Sequence, residues 1–118
     1  MRALPLLFVL LPFALCETSD EADAIAVVQK TFDGMKAHDE AAIKATFLPD
    51  ARLYAIRDNV PGPSRTGDEF AAQIAGAKGE FIERFTVKPQ VLLRGRMAQV
   101  WGEYEFLRDG KFSHCGVD

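Results

Sequence analysis

Residues suited to metal or thiol chemistry are scarce in this 118-residue chain: two cysteines and two histidines in all. His38 and His114 lie far apart in sequence, and Cys115 merely neighbours His114, so no metal-ligand spacing arises. No metal or other cofactor is expected. No glycine-rich loop joins a strand to a helix, which removes the usual phosphate cradle. No apolar run reaches the roughly 20 residues that a bilayer crossing needs. Positive charge is in deficit, with 14 Lys and Arg against 17 Asp and Glu. Without clustered basic residues, neither nucleic acid nor an anionic membrane surface is an expected partner.

What is present begins with a leader. Met1-Arg2 is a short positive start, Ala3 to Leu15 is almost wholly apolar, and Ala14-Leu15-Cys16 offers small residues at the positions a signal peptidase reads. Residues 1–16 therefore read as a secretory signal peptide, and the mature protein is expected to be exported, periplasmic or extracellular. The bulky Leu15 argues against the rival reading, a lipoprotein signal ending at Cys16. Cleavage removes Arg2 and leaves 13 basic against 17 acidic side chains, a net charge of −4. It also leaves Cys115 alone, so no internal disulfide could form. Cys115 reads as the filler of a strand position, because a reactive thiol needs an electropositive, accessible setting.

Residues 17–118 read as a single domain, with helices first and antiparallel strands after, the α+β pattern. Thr18-Ser-Asp-Glu21 is a capping box, and Ile25, Val28, Phe32 and Met35 then recur at three- and four-residue steps to about Ala37. Asp39 is suited to cap a second short helix that turns Ala42, Ile43 and Phe47 inward and ends at Pro49. His38-Asp39-Glu40 reads as a solvated cap. Ala51 to Arg57 is a strand, and Asn59 to Pro63 a loop. Thr66-Gly-Asp-Glu69 is a second capping box, opening a helix with Phe70 and Ile74 on one side. Glu83 to Leu93 reads as one edge or bulged strand containing Pro89, and Arg94-Gly95-Arg96 turns into the next.

That next strand alternates cleanly. Ala98, Val100, Gly102, Tyr104 and Phe106 share the expected inner face, and Gln99, Trp101, Glu103 and Glu105 the outer. Trp101 is either an isolated exposed aromatic or an anchor for a partner sheet. The bend around Asp109-Gly110 decides where His114 points. A two-residue loop pairs Leu107 with Phe112 and sets His114 outward, opposite Glu105. A three-residue loop pairs Leu107 with Lys111 and sets His114 inward opposite Tyr104, with Asp118 opposite Val100. The three-residue loop is favoured, because it turns Phe112 toward Phe106 and keeps Lys111 out of the core. His114, Asp118 and Tyr104 then form a candidate acid–base group in an apolar interior. The alternative is a buried histidine tied to a carboxylate for architecture alone. Ser113-His114 is not expected to act as a nucleophile–base couple, since adjacent strand residues face opposite ways.

The first helix ending near Ala37, Phe47-Leu-Pro-Asp-Ala51, Gly67-Asp-Glu-Phe70, the strand Ala98–Phe106 and the block Asp109–Asp118 together resemble the nuclear transport factor two-like superfamily, in its SnoaL-like and lumazine-binding branch. The resemblance implies a cone-shaped, curved antiparallel sheet wrapped around the N-terminal helices. It also implies a pocket for a small hydrophobic or cyclic ligand, and a homodimer through the outer sheet face at Trp101 and Glu103. It implies one or two further strands as well, so the domain is expected to be incomplete at its C-terminus. The position that carries the aspartate of the isomerases falls near Ala55, where this chain has no carboxylate before Asp58. The leading expectation is an exported small-molecule-binding domain lined by Phe32, Phe47, Tyr54, Tyr104, His114 and Asp118. The alternatives are an isomerase, dehydratase or cyclase using His114 as general acid or base, and a non-catalytic dimerisation module. Fold alone does not choose among them.

Overall fold

In the computed structural model the described residues are 19–118. The expected signal peptide, and Thr18 of the first capping box, lie outside them. Helix α1 (Ser19–Ala37) carries Asp20 and Glu21 in its first turn and Lys36 in its last, each sign matched to the helix dipole. Phe32 and Met35 are buried, and Ile25 and Val28 half-buried, along the stripe that the three- and four-residue spacing predicts. The helix stops at His38, whose φ is +53°. Asp39 then accepts the backbone N–H of Ala42 at 3.0 Å and opens α2 (Glu40–Lys44).

Ile43 is fully buried where α2 meets α1. A Cβ on Gly34 would come within 2.9 Å of Ile43 Cγ1, so this close approach needs a glycine on α1. Ala42, expected inside, is exposed, because a five-residue helix turns one position squarely toward its neighbour. Helix α3 (Gly67–Gly76) has the complete capping box: Glu69 N–H donates to Thr66 Oγ1 at 3.1 Å, and Thr66 N–H donates to Glu69 Oε2 at 2.7 Å. Ala71 buries against Phe32, Met35 and Ile43, and these four are the core that joins the helices.

The strands are shorter and more numerous than the sequence pattern suggests. Ala51–Arg57 is not one strand. It divides into β1 (Arg52–Leu53), paired with β4 (Arg65–Thr66), and β2 (Ile56–Arg57), paired with β3 (Val60–Pro61). The β2–β3 hairpin turns on Asp58 and Asn59, with φ of +51° and +62°, a left-handed conformation that Asx side chains tolerate. The expected single strand over Glu83–Leu93 is likewise two, β5 (Phe81–Phe85) and β6 (Gln90–Arg94). Pro89 has no N–H for a ladder and sits in the break. The strand Ala98–Phe106 also divides, at Gly102, into β7 (Met97–Trp101) and β8 (Glu103–Arg108). The space that a side chain on Gly102 would need is filled by the Phe85 ring and by Pro89.

The last strand, β9 (Lys111–Val117), completes an antiparallel sheet of order β5-β8-β9, beside a separate β6-β7 pair. The architecture is α+β, with antiparallel strands in open sheets, and no closed barrel forms among the described residues. Phe85 and Phe106 join the sheet to the helical core, and Phe32 meets Phe85 edge-on at 5.2 Å.

The final hairpin corrects the favoured register. Arg108 pairs with Lys111 and Leu107 with Phe112, so the loop has two residues, Asp109 and Gly110, with φ of +52° and +72°. Positive φ at both positions is the primed turn that Asp-Gly favours, and its twist matches that of the strands. Phe112 consequently faces outward and is exposed. The register then shifts at a bulge, where Ser113 is the extra residue, and Phe106 pairs with His114. The bulge restores His114 to the inner face by a route the alternation does not contain. Its cross-strand neighbour is Phe106, neither Tyr104 nor Glu105. Gly116 lies opposite Tyr104, and Asp118 exchanges two backbone hydrogen bonds of 2.9 Å with Gly102, in place of the expected pairing with Val100.

Candidate functional site

Between the helices and the inner face of β5-β8-β9 lies a cavity of about 770 Å³, within the range of small-molecule sites. Its apolar walls come from Val28, Phe32 and Met35 of α1, Phe47 after α2, and Phe70 and Ile74 of α3. Its polar wall comes from the sheet. Glu83 occupies the inward position of Phe81-Ile-Glu-Arg-Phe85, between two inward phenylalanines. It pairs with Phe106, which pairs in turn with His114, so one cross-strand row carries a carboxyl, a phenyl ring and an imidazole.

The acids define the electrostatics. Glu83 is half-buried and hydrogen-bonds the Asp118 carboxyl. Loss of solvent, then the charge of Asp118, then that hydrogen bond push Glu83 up to about 8. Asp118 is raised as well: loss of water at its carboxyl outweighs the pull of Glu83 and of His114. Asp118 is the more exposed residue of the two, so the heavier cost of desolvation falls on Glu83. The pair therefore holds one proton near neutral pH, with Glu83 donating and Asp118 accepting. Two like charges this close cannot both ionise cheaply.

His114 stacks on Phe106 at 4.8 Å and meets Tyr104 edge-on at 6.0 Å. Its Nδ1 lies 3.1 Å from Ser113 Oγ. This contact reverses the expectation that Ser113 and His114 face apart: the bulge breaks the alternation, and both side chains line the cavity. Within the expected group of His114, Asp118 and Tyr104, Asp118 turns to a partner outside it. Its carboxyl bonds Glu83, while Ser113 holds Nδ1 and leaves Nε2 for a ligand.

Of the residues predicted to line a pocket, Phe32, Phe47, Tyr54, His114 and Asp118 do so. Tyr54 is largely exposed, at the cavity's outer edge. Tyr104 is not among the lining residues: it packs over Gly116, its hydroxyl 3.0 Å from where a Cβ there would sit. Loss of water, and next the charges of Asp118 and Glu83, raise the Tyr104 phenol, so it stays a neutral hydrogen-bonding group behind the acids. Glu83 is the residue that sequence reasoning missed. The signal was there: a lone carboxylate at an inward position, two residues from a phenylalanine on either side.

His38 proves structural rather than solvated. Its Nδ1 lies 2.9 Å from the Ile74 carbonyl and its Nε2 2.7 Å from the Gly79 carbonyl, with the ring 5.0 Å from Phe81. It ties the end of α1 to the end of α3 and to the approach to β5. Trp101 and Glu103 are exposed on outer strand faces, and Cys115 is a free thiol exposed opposite Glu105. No helix among the described residues is long and apolar enough to cross a membrane. Comparison with protein-family models, with curated proteins and with solved structures finds no match.

Proposed function

We propose that this domain binds a small, mostly apolar molecule, cyclic in the simplest case, between its helices and its sheet. One observation carries the reading: Glu83, Asp118 and His114 face a cavity of about 770 Å³ whose helical side is built mainly from Val28, Phe32, Met35, Phe47, Phe70 and Ile74. Glu83 and His114 are half-buried and Asp118 is exposed, so all three polar groups stay open to a ligand at the cavity wall. A ligand carbonyl or hydroxyl bonded to His114 Nε2, with a second polar group at Glu83 and Asp118, would fix the orientation of an apolar body lying on Phe32 and Phe47.

A second reading, turnover, is favoured by the raised Glu83. A protonated carboxyl beside an ionised one, with an imidazole on the far side of β8, supplies a general acid and a general base at neutral pH. Isomerisation, dehydration and cyclisation next to a carbonyl all need that combination. The resemblance to the nuclear transport factor two-like superfamily supports both readings, including a sheet curled into a cone around the helices. Export rests on the leader at residues 1–16. Homodimerisation is supported by the exposed Trp101 with its neighbour Glu103.

The test is titration of the purified protein with the neutral fluorophore N-phenyl-1-naphthylamine, competed with hydrophobic cyclic ketones and alcohols. Saturable, displaceable binding is expected, weakened by His114→Gln for ligands carrying a carbonyl. Absence of saturable binding would leave only a non-catalytic dimerisation module. If His114→Gln preserves affinity but abolishes conversion of a bound ketone, the domain is an enzyme.

A further inference from the structure

The charge of the cavity opposes that of the chain around it. The sequence as a whole is acidic, with net charge −3. Among the described residues the Lys, Arg, Asp and Glu side chains lining the cavity are Arg57, Arg65 and Arg108 against Glu83 and Asp118. Because the two carboxyls hold a proton between them, they present one negative charge to three guanidinium groups. The ion pairs of the described residues, Lys44–Glu40 and Arg84–Glu105, use none of these three arginines.

The three differ in availability. Arg108 donates to the Lys78 carbonyl at 3.3 Å and lies over the Phe81 ring. Arg65 donates to Gln73 Oε1, and its charge adds weakly to the Thr66 hydrogen bonds that chiefly hold the Glu69 carboxyl down. Arg57 sits at the end of β2, exposed, and its charge acts on the Tyr104 phenol across the site. It is the guanidinium best placed to meet a ligand, with Arg65 second.

We propose that the cavity selects an apolar monocarboxylate, its anionic head on Arg57 and Arg65 at the β2–β4 side and its apolar body over Phe32 and Phe47 toward the polar wall of the sheet. A guanidinium binds a carboxylate through paired, charge-assisted hydrogen bonds, which gives it geometric as well as electrostatic preference for that head group. This inference rests on the proposed small-molecule site and adds the sign of its ligand. It also predicts a pH dependence. His114 on β9, Asp118 just after it, and Tyr104 on β8 are the titratable groups that face Glu83; α1 brings none to the cavity. As pH rises through about 8, Glu83 loses the shared proton and a second negative charge opposes the carboxylate.

The experiment uses two probes that differ only in charge: 11-(dansylamino)undecanoic acid and its methyl ester, titrated by fluorescence into the purified protein. At pH 6.5 the acid is expected to bind about tenfold more tightly than the ester, the size of effect one charge-assisted contact supplies. Arg57→Gln should remove most of that advantage and leave the ester unchanged, while Arg94→Gln, outside the cavity, should change neither. Raising the pH to 9 should weaken the acid and not the ester, and Glu83→Gln should flatten that dependence. Equal binding of acid and ester would overturn the charge preference and leave the small-molecule site standing. If neither probe binds saturably, the site itself falls and this inference with it.

Discussion

The helical pole and the sheet wall of this domain are built to different standards. At the pole, Phe32, Met35, Ile43 and Ala71 close on one another with almost no exposure, and Gly34 is pared down to admit Ile43. At the wall, the side chains of β8 and β9 are at most half-buried, a carboxyl pair and an imidazole stand among phenylalanines, and a cavity replaces packing. Apolar burial stabilises the first region, whereas desolvated polar groups work against the second. The packing that stabilises the domain and the proposed ligand site are thus separate in space, as expected where a site must keep groups that a core would exclude.

The most damaging way to break this comparison is at the pole. Ile43→Ala is expected to cost about 2–5 kcal/mol, because the fully buried side chain leaves a void that a glycine-spaced helix crossing cannot collapse into; urea denaturation measures it. Next comes the tie between pole and wall. His38→Ala removes the ring held 2.9 Å and 2.7 Å from the Ile74 and Gly79 carbonyls, with an expected loss of about 1–2 kcal/mol. Faster amide exchange around residues 74–81 would accompany that loss, and unchanged exchange there would show that the histidine pins nothing.

Glu83→Gln sharpens the contrast at the wall. A carboxyl raised from its ordinary 4.5 to about 8 keeps, in the folded protein, a proton that the unfolded chain releases. Its contribution to stability is fully present below pH 4.5 and is lost as pH rises through about 8. Wild-type stability should therefore fall across that interval more steeply than that of Glu83→Gln, and parallel curves would refute the shared proton. The smallest expected effect is Gly110→Ala. The added Cβ meets open space, so the cost is the backbone's alone, about 1 kcal/mol for a non-glycine residue at φ +72°.

The helices were legible because their signals are local. Asp39, the Thr66–Glu69 capping box and the spacing of Val28, Phe32 and Met35 each report on a neighbour within one turn, and each stands where the pattern predicts. Sheet pairing depends on contacts remote in sequence, and there the reading ran out. Alternation in Ala98–Phe106 placed Tyr104 and Phe106 on the inner face, yet it could not reveal the break at Gly102, which exists because the Phe85 ring needs that space. The hairpin gave the right face for His114 from the wrong loop, since the two-residue turn and the Ser113 bulge offset one another. Glu83 is concealed in the pattern because Glu83–Leu93 reads as one long strand running through Pro89, which hides the five-residue alternation around it.

Composition and local pattern alone determined the α+β order, the helix caps at Asp39 and Thr66, the acidic chain and the poverty of metal-binding residues, all properties that each segment carries by itself. The end of α2 at Lys44, short of the expected Pro49, was not among them. Only the tertiary structure decided that Glu83 meets Asp118, that Ser113 shares a side with His114, and that three arginines gather around a cavity in an acidic protein. Those depend on register and on the packing of distant segments, where a single extra residue in one strand exchanges inside for outside.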